Sequence, residues 1–214
     1  MTNSDEQLLA GLREALRLEL PGHDAFMHLG GYKRPDLDAA LKLDPQPRES
    51  AVLALIYPRS GSLHTLLMLR PEYEGVHSGQ VAFPGGRREE QDATLQDTAL
   101  REFTEETGAT TDPFTLLGEL SRVYIPPSRS LVTPFLAYTE ELPPTRPDPH
   151  EVAALIETPL EELLRPDVVQ VRRQYIQVLG REAEIPYFDL QGQVVWGATA
   201  MMLAELRELL LRLR

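Results

Sequence analysis

The chain has 214 residues, of which 42% are hydrophobic and 25% are charged, and its net charge at pH 7 is −12. This size and composition are typical of one globular domain, with or without extensions. So negative a chain is a poor non-specific binder of nucleic acid or anionic membranes, because it repels their phosphates. If the substrate is itself an anion, a divalent cation is the simplest means of reversing the local field.

Residues that the sequence lacks narrow the class of protein further. The chain contains no cysteine, which excludes disulfides, thiolate metal sites and cysteine nucleophiles. No stretch approaches the length of about 18 apolar residues that predicts a transmembrane helix. The sequence MTNSDEQLL at the start is acidic and lacks the basic and apolar regions of a signal peptide. We therefore expect a cytoplasmic protein.

The first part of the chain is predicted to hold one helix and an irregular connection. Ser4 to Gln7 has the pattern of a capping box, and leucines at helical spacing predict a helix over residues 5–19. Residues 22–49 are rich in glycine and proline, which favours an irregular connection with a short helix near residues 36–42.

The remaining elements mix strands and helices. Apolar runs and turn residues predict, in chain order, a hairpin of strands 51–57 and 64–69, strands 114–125, 131–138 and 151–158, a short helix after Pro159, two strand-like halves around a Gln191-Gly192 turn, and a final helix over 198–213. Because these elements do not alternate regularly, we predict an α+β fold with a mixed sheet and flanking helices.

The most informative segment is FPGGRREEQDATLQDTALREFTEETGA, residues 83–109. On a helix, with about 100° per residue, Glu102, Glu105 and Glu106 lie within roughly 100° of one another. As like charges at i, i+4, Glu102 and Glu106 repel by roughly 0.2–0.5 kcal/mol in a solvated helix. Arg101 can reach and orient Glu105, but one cation does not balance three anions. Mg²⁺ or Mn²⁺ would, because these ions prefer carboxylate oxygens.

A glycine pair, Gly85-Gly86, precedes this helix. Without Cβ atoms, the backbone can turn sharply, approach a ligand closely and offer a carbonyl to a metal. Gly108 suits the position after the last helical turn, which requires a positive φ. An acidic solvated face would explain the glutamates alone, but the glycines and the Arg–Glu pair in the same segment favour a site for metal ions and a phosphate chain.

The segment from Gly86 to Ala109 resembles the Nudix box, whose core pattern is R-E-U-x-E-E-x-G-U with U a bulky apolar residue. The core here reads REFTEETGA from Arg101, so the final apolar position is only alanine. The common form has a glutamate eight residues before the arginine, where this chain has Ala93, and Asp92 lies nine before it. The box is one residue longer, as in the coenzyme A pyrophosphatase branch of the family.

The segment before the box resembles the same branch, whose upstream signature is approximately L-L-T-x-R-[SA]-x3-R-x3-G-x3-F-P-G-G. The matching positions are Leu66, Leu67, Arg70, Gly79, Phe83, Pro84, Gly85 and Gly86. Met68 and Pro71 depart from the signature, and Gly75 replaces its second arginine, a cation that could contact substrate phosphates. The C-terminal piece IPYFDLQGQVVWGATAMML also resembles this branch.

The resemblance implies a Nudix fold, an α/β/α sandwich around a mixed sheet with a loop–helix–loop catalytic motif. The Nudix domain would occupy residues 50–214, behind an N-terminal extension over residues 1–49. The implied reaction is Mg²⁺- or Mn²⁺-dependent hydrolysis of a diphosphate, which for coenzyme A gives 3′,5′-ADP and 4′-phosphopantetheine. By position, the metal ligands would be Glu102, Glu105, Glu106 and the carbonyl of Gly86, and Arg101 would orient Glu105.

Other residues are candidates for catalysis or substrate binding. The general base could be a box glutamate or a carboxylate on a distant loop, where Glu151, at the end of the proline-rich loop 140–150, is a candidate. The candidate substrate-binding residues are Arg70, Gly79, Phe83, Gly85, Arg87, Arg88 and His77. Residues 128–130 are a candidate substrate-side loop, and Trp196 is expected in the core.

The expected partner is a small nucleotide of the coenzyme A class, with no nucleic acid and no membrane. The leucine-rich helices at 5–19 and 198–213 could form a homodimer contact, although packing on their own domain is the simpler use. Which coenzyme A derivative is preferred stays open.

Two other functions fit the sequence. Gly75 in place of arginine keeps open a Nudix hydrolase of another nucleoside diphosphate derivative, such as ADP-ribose or a dinucleotide. A nucleotide-sensing Nudix-like regulatory domain is the alternative of a different class, although such a domain would be expected to lose box glutamates. A related isomerase has no residue to support it.

Overall fold

The computed structural model describes residues 2–30, 37–72, 79–176 and 180–214. The helices in these ranges are α1 (Asn3–Ala15), α2 (Gly22–Met27), α3 (Leu37–Leu43), α4 (Leu95–Thr107), α5 (Leu160–Leu163) and α6 (Gly197–Arg212). The strands are β1 (Arg48–Arg59), β2 (Ser62–Leu69), β3 (Val81–Ala82), β4 (Gly85–Arg87), β5 (Thr115–Glu119), β6 (Val123–Ile125), β7 (Ser130–Tyr138), β8 (Ala154–Pro159), β9 (Val169–Ile176), β10 (Arg181–Leu190) and β11 (Gln193–Val195).

A mixed eight-stranded sheet forms the centre of the fold. Its path runs β3-β2-β1-β7-β5, with β8 on β2 and β6 on β7. The β1–β7 pair is parallel and the β1–β2 hairpin is antiparallel. β4 pairs with the first half of β1, with Gly86 opposite Ala51, so the glycine pair belongs to the sheet. A second, three-stranded sheet has the order β11-β10-β9.

Side chains alternate along β1 between two apolar cores, as the strand period of two requires. Ala51, Leu53 and Leu55 pack on one side with Ala99 and Phe103 of α4. The opposite side is covered by α1, α2 and α6, whose buried residues include Leu12, Phe26 and Leu206. The predicted α+β fold, an α/β/α sandwich with a mixed sheet, is confirmed.

The capping-box prediction at the start of α1 was wrong. The N-cap residue is Thr2, whose hydroxyl accepts a hydrogen bond from the Asp5 backbone N–H at 3.2 Å. The Asp5 carboxylate accepts one from the Thr2 N–H at 2.8 Å, which completes the reciprocal pair. Ser4 lies inside the helix. Both positions offered a hydroxyl N-cap, and an aspartate three residues later serves as well as the expected glutamine.

Several elements differ from the sequence prediction. The expected irregular connection contains α2, and the strands β3, β4 and β9 were not predicted. The expected strand over residues 114–125 is divided into β5 and β6. The two strands are separated near Ser121. Its backbone N–H donates to the Glu205 carboxylate, at an N···O distance of 2.8 Å, and not to a neighbouring strand.

Glu205 of α6 joins the N-terminal helices to the rest of the fold. Its buried carboxylate accepts hydrogen bonds from the Gly22 N–H at 2.8 Å and from the Ser121 hydroxyl at 2.6 Å. Because α1 and α2 share a core with α6, the extension and the main domain are packed together. The boundary at residue 49 stays a prediction. Of the helices in the described ranges, none has both the length and the apolar character of a membrane span.

Arg172 links the three-stranded sheet to α6. Its guanidinium carbon lies 5.8 Å from the centre of the Tyr187 ring and 5.6 Å from that of Trp196. These distances are in the range of cation–π contacts. Trp196 is the N-cap residue of α6 and is half-buried, so it lies at the junction rather than deep in the core.

Candidate active site

The helix that carries the three glutamates has defined ends. At its start, the Thr94 hydroxyl accepts from the Asp97 N–H at 3.2 Å and the Asp97 carboxylate accepts from the Thr94 N–H at 2.8 Å. At its end, Gly108 has a φ of 72° and donates its N–H to the Thr104 carbonyl at 2.8 Å. The glutamates therefore project from a helix that is capped at both ends and packed on the sheet.

The two glycines before α4 are required for different reasons. Gly85 has a φ of 152°, and a Cβ there would lie 2.4 Å from the Ala51 carbonyl oxygen. At Gly86, a Cβ would lie 2.4 Å from the carboxylate of Glu102. Glycine at the first position lets two backbone segments meet, and glycine at the second admits the Glu102 carboxylate against the chain.

Glu106 is the most buried of the three glutamates, with its side chain 2% exposed. One carboxylate oxygen accepts from the Gly85 N–H at 2.7 Å, and the other lies 3.2 Å from Nη2 of Arg70. Burial, with a smaller effect from the charges of Glu102 and Glu151, raises the pKa of Glu106 to about 7, against the opposing effects of Arg70 and the Gly85 N–H. Without a cation, this site disfavours the charged carboxylate.

The surroundings of Glu102 also disfavour its charged form. Burial raises its pKa, with the charges of Glu105 and Glu151 acting in the same direction and Arg101 opposing them. Glu105 is more accessible, since its side chain is 55% exposed. The three glutamates thus differ in burial although they lie on one face of the helix.

Arg101 organises this face. Its guanidinium donates to Glu102 at 3.1 Å, to Glu105 at 2.8 Å and to the Arg87 carbonyl at 3.0 Å. Two further bonds, both 2.9 Å, go to the two oxygens of Asp92. All five donors of the fork are used. The predicted contact between Arg101 and Glu105 is present.

Asp92 is the site residue to which the sequence analysis gave no role. It is buried, and its carboxylate also accepts from the Thr98 hydroxyl and the Glu89 N–H, each at 2.9 Å. Its hydrogen bonds to Arg101 hold its pKa well below the usual range. The signal was the position of this carboxylate, nine residues before the arginine, where the longer spacer displaces the acidic residue by one.

The proline-rich loop places Glu151 beside the end of α4. The loop is bound there by the Arg146 N–H, which donates to the Thr107 carbonyl at 2.8 Å, and by the Asp148 N–H, which donates to the Glu106 carbonyl at 3.3 Å. Glu151 is exposed, and its charge contributes to the raised pKa of both Glu102 and Glu106. The structure therefore brings this candidate base to the glutamate face.

The other predicted substrate-binding residues lie in varied surroundings. Arg87 is exposed beside the glycine pair. Arg88 donates to the Glu49 carboxylate at 2.9 Å and to the Ala93 carbonyl at 2.9 Å, so it braces the loop before α4. Phe83 is buried in the core, where it anchors the glycine turn and does not reach a surface ligand.

Gly79 and the 128–130 segment lie in turns. Gly79 has a φ of 62° and bonds to the Pro71 carbonyl. Arg129 is engaged with the carboxylate of Asp44, which lowers the pKa of Asp44 to about 2. Two positions from the sequence argument, His77 and Gly75, lie outside the described residues. The substrate roles of these residues stay predictions.

The donor set suits a divalent cation, but it is not assembled into a cluster. Within the described ranges, no three histidine, aspartate or glutamate side chains converge as metal ligands would. Glu102, Glu105 and Glu106 are instead engaged by Arg101 and Arg70. Their chemistry suits a hard cation, since the buried Glu106 and the partly buried Glu102 have raised pKa values and lie on the same helix face as Glu105, which is open to solvent.

Residues 47–179, more than half of the chain, match the NUDIX domain family. The chain belongs to the Nudix family. It is therefore a hydrolase of a diphosphatase family whose members typically use divalent metal ions. This confirms the predicted enzyme class and, for the reaction, Nudix-type pyrophosphohydrolase activity on a nucleotide-type substrate.

Curated relatives carry the same family name. The uncharacterized Nudix hydrolase NudL of Yersinia enterocolitica is 34% identical over 146 residues, covering 67% of this chain and 72% of that protein. The chloroplastic Nudix hydrolase 22 of Arabidopsis thaliana is 33% identical over 172 residues. That match covers 74% of this chain but only 54% of the plant protein, so this chain spans about half of its length.

Solved structures support the fold. The Nudix hydrolase RenU of M. smegmatis superposes with a TM-score of 0.54 at 22% identity, covering 78% of this chain and 88% of that one. A MutT/nudix family protein of Enterococcus faecalis gives a TM-score of 0.51 at 16% identity, covering 99% of this chain and 74% of that one. At these identities the likeness concerns the fold alone.

Proposed function

We propose that this Nudix hydrolase cleaves the diphosphate bond of coenzyme A or its derivatives, giving 3′,5′-ADP and 4′-phosphopantetheine. The observation that carries the proposed hydrolytic site, whatever its diphosphate substrate, is the contact between α4 and the glycine turn. Gly85 donates its N–H to Glu106 at 2.7 Å, and only a glycine at position 86 leaves room for the Glu102 carboxylate. This contact places the buried carboxylate of Glu106 and the partly buried one of Glu102 directly against the glycine turn.

Glu102, Glu105 and Glu106 would hold Mg²⁺ or Mn²⁺, with the Gly86 carbonyl as a further proposed ligand. When bound, the ion supplies positive charge against the diphosphate oxygens, which this acidic chain otherwise repels. Arg101 fixes Glu102 and Glu105, and its own orientation is set by Asp92. The protein thus contributes positioned carboxylates and needs no covalent nucleophile.

We propose Glu151 as the group that accepts a proton from the attacking water. It is exposed, and the loop that carries it is attached to α4 through the backbone of Glu106 and Thr107. Its charge also acts on Glu102 and Glu106, the proposed metal ligands. Arg87 is proposed to contact the substrate phosphates, since it is exposed beside that turn.

The assignment to coenzyme A rests on the signature residues before the box. Leu66, Leu67 and Phe83 are buried, Leu66 in one apolar core and the other two in the opposite one. The second arginine of the signature is absent, because position 75 is glycine. This substitution favours the second candidate, a hydrolase of another nucleoside diphosphate derivative such as ADP-ribose or a dinucleotide. Retention of all three box glutamates argues against a purely nucleotide-sensing domain.

Product analysis tests the proposal. The protein is incubated with coenzyme A, ADP-ribose and a panel of dinucleotides, with Mg²⁺, with Mn²⁺ or with EDTA, and the products are separated by chromatography. We expect metal-dependent release of 3′,5′-ADP from coenzyme A, abolished in Glu106→Gln and kept in the exposed loop variant Glu90→Gln. Turnover of another diphosphate alone would refute the coenzyme A assignment and keep the site. No turnover of any substrate would favour the sensing domain.

A further inference from the structure

Arg70, a candidate phosphate ligand by sequence, turns its side chain toward the protein. It follows the last residue of β2, and its backbone N–H donates to the Gln80 carbonyl at 3.0 Å. The side chain is only 25% exposed. Its Nη2 atom lies 3.2 Å from the Gly85 carbonyl oxygen and 3.2 Å from a carboxylate oxygen of Glu106.

These contacts close a ring around Glu106. The Gly85 N–H donates to one carboxylate oxygen at 2.7 Å, and Arg70 contacts the other. The same Nη2 atom binds the Gly85 carbonyl, so both backbone polar groups of Gly85 and both oxygens of Glu106 are engaged. Glu106 cannot change its orientation without losing both the charge-assisted hydrogen bond from the Gly85 N–H and the ion pair with Arg70.

The ring also joins three elements that are separate in the chain. Arg70 marks the end of β2, Gly85 begins β4, and Glu106 lies in the last turn of α4. Both contacts are made by Nη2, whose N–H bonds point in fixed directions in the guanidinium plane, whereas a lysine ammonium acts as a single point charge on a flexible stem. This arginine nitrogen is therefore suited to holding a carboxylate and a carbonyl together.

We propose that Arg70 is a positioning residue that sets the orientation of Glu106 against the glycine turn, rather than a ligand of the substrate phosphates. The inference rests on the proposed function in one respect, that Glu106 holds the metal ion. Arg70 then acts on metal binding and on turnover through Glu106, and it contributes little to the affinity for substrate.

The test uses the full chain with Arg70→Lys and Arg70→Gln, beside Arg165→Gln as a matched control. Arg165 forms an exposed ion pair with Asp167 after α5, away from α4. We expect Mn²⁺ affinity, measured by titration calorimetry without substrate, to fall about 10- to 100-fold in both Arg70 variants, as for other residues that orient metal ligands. We expect kcat to fall to a similar extent with KM nearly unchanged.

A structural readout does not depend on turnover. The Gly85 amide resonance, assigned in a ¹⁵N-labelled sample without metal, should shift in both Arg70 variants and stay in place in Arg165→Gln. An unchanged Gly85 amide and unchanged Mn²⁺ affinity, with KM raised and kcat kept, would overturn the proposal and make Arg70 a substrate ligand. Failure of the wild-type protein to bind Mn²⁺ would overturn it as well.

The measurements distinguish failure of the proposed function from failure of the proposed role of Arg70. If the wild-type protein binds Mn²⁺ but hydrolyses no diphosphate, the proposed function is wrong, and the Mn²⁺ and amide measurements still decide the role of Arg70. If Arg70→Gln does not fold, Arg70→Lys decides it, because lysine retains the charge and most of the length of the side chain.

Discussion

Burial of the Glu106 carboxylate makes the free energy of unfolding depend on pH. The ordinary pKa of a glutamate is 4.5, and that of folded Glu106 is about 7. Between these pH values the folded protein keeps a proton that the unfolded chain has released. The stabilisation from this group is therefore complete below pH 4.5 and is lost as the pH rises through about 7.

We predict that the wild-type protein in EDTA loses about 3 kcal/mol of stability from this group between pH 4.5 and pH 8. Glu106→Gln should lack this slope and be the more stable protein at pH 8, because no charge is buried. Urea unfolding at pH 5 and pH 8 measures the difference. Glu90→Gln, at an exposed loop position before α4, is the control and should keep the wild-type slope. Parallel pH dependences of wild-type and Glu106→Gln would contradict the prediction.

For individual residues, the sequence predicted contacts within one helix or strand and missed contacts between elements. Arg101 and Glu105 are four residues apart on a helix, so helical geometry alone implies their contact. The contacts of Arg101 with Asp92 and of Arg70 with Glu106 depend on how a loop and a strand end are placed against α4. That placement is set by strand pairing and burial, which no local pattern encodes.

The strand β4 shows how an element combines two glycines with different requirements. A Cβ added at Gly85 would clash with the backbone of Ala51 and Val52, which cannot move without breaking the β1–β4 pair. A Cβ added at Gly86 would clash with the end of the Glu102 side chain, which can rotate away. Substitutions at the two positions should therefore separate stability from activity.

We predict that Gly85→Ala destabilises the protein by more than the roughly 1–2 kcal/mol cost of a positive φ alone. Gly86→Ala should leave the melting temperature close to that of the wild type and still lower kcat, because it displaces Glu102. Gly61→Ala is the control for strain, since Gly61 has a φ of 86° and nothing within 4 Å of an added Cβ. Thermal unfolding and turnover are measured for all three variants. A smaller loss of stability in Gly85→Ala than in Gly61→Ala would contradict the steric argument.

Element types were predicted better than element boundaries and pairings. The β1–β2 hairpin and the helices α4 and α6 follow from apolar periodicity, turn residues and caps. The break between β5 and β6 depends on Ser121 meeting Glu205, which is 84 residues away in the chain. The parallel β1–β7 pair is equally non-local, so only the presence of a mixed sheet could be predicted.

The whole molecule is expected to unfold as one unit, although the sequence suggested an N-terminal extension. Leu12 of α1 is 0% exposed and belongs to the same core cluster as the inner face of α6. We predict that Leu12→Ala lowers the stability of the whole protein by about 2–5 kcal/mol in a single transition.

Leu18 provides the matched control for Leu12→Ala. It is 72% exposed, so Leu18→Ala should change stability by less than about 0.5 kcal/mol. Urea unfolding is followed by circular dichroism for both variants. A separate early transition in Leu12→Ala, with the main transition unmoved, would show that residues 1–49 fold independently.

The stacking of Arg172 on Trp196 gives this protein a built-in optical reporter. The chain has a single tryptophan, so all tryptophan emission originates at the junction between the three-stranded sheet and α6. Separation of the Arg172 guanidinium from the Trp196 indole would change the tryptophan emission, and this separation does not require α4 to move. A difference between the fluorescence and circular dichroism midpoints would thus reveal undocking of the smaller sheet ahead of global unfolding.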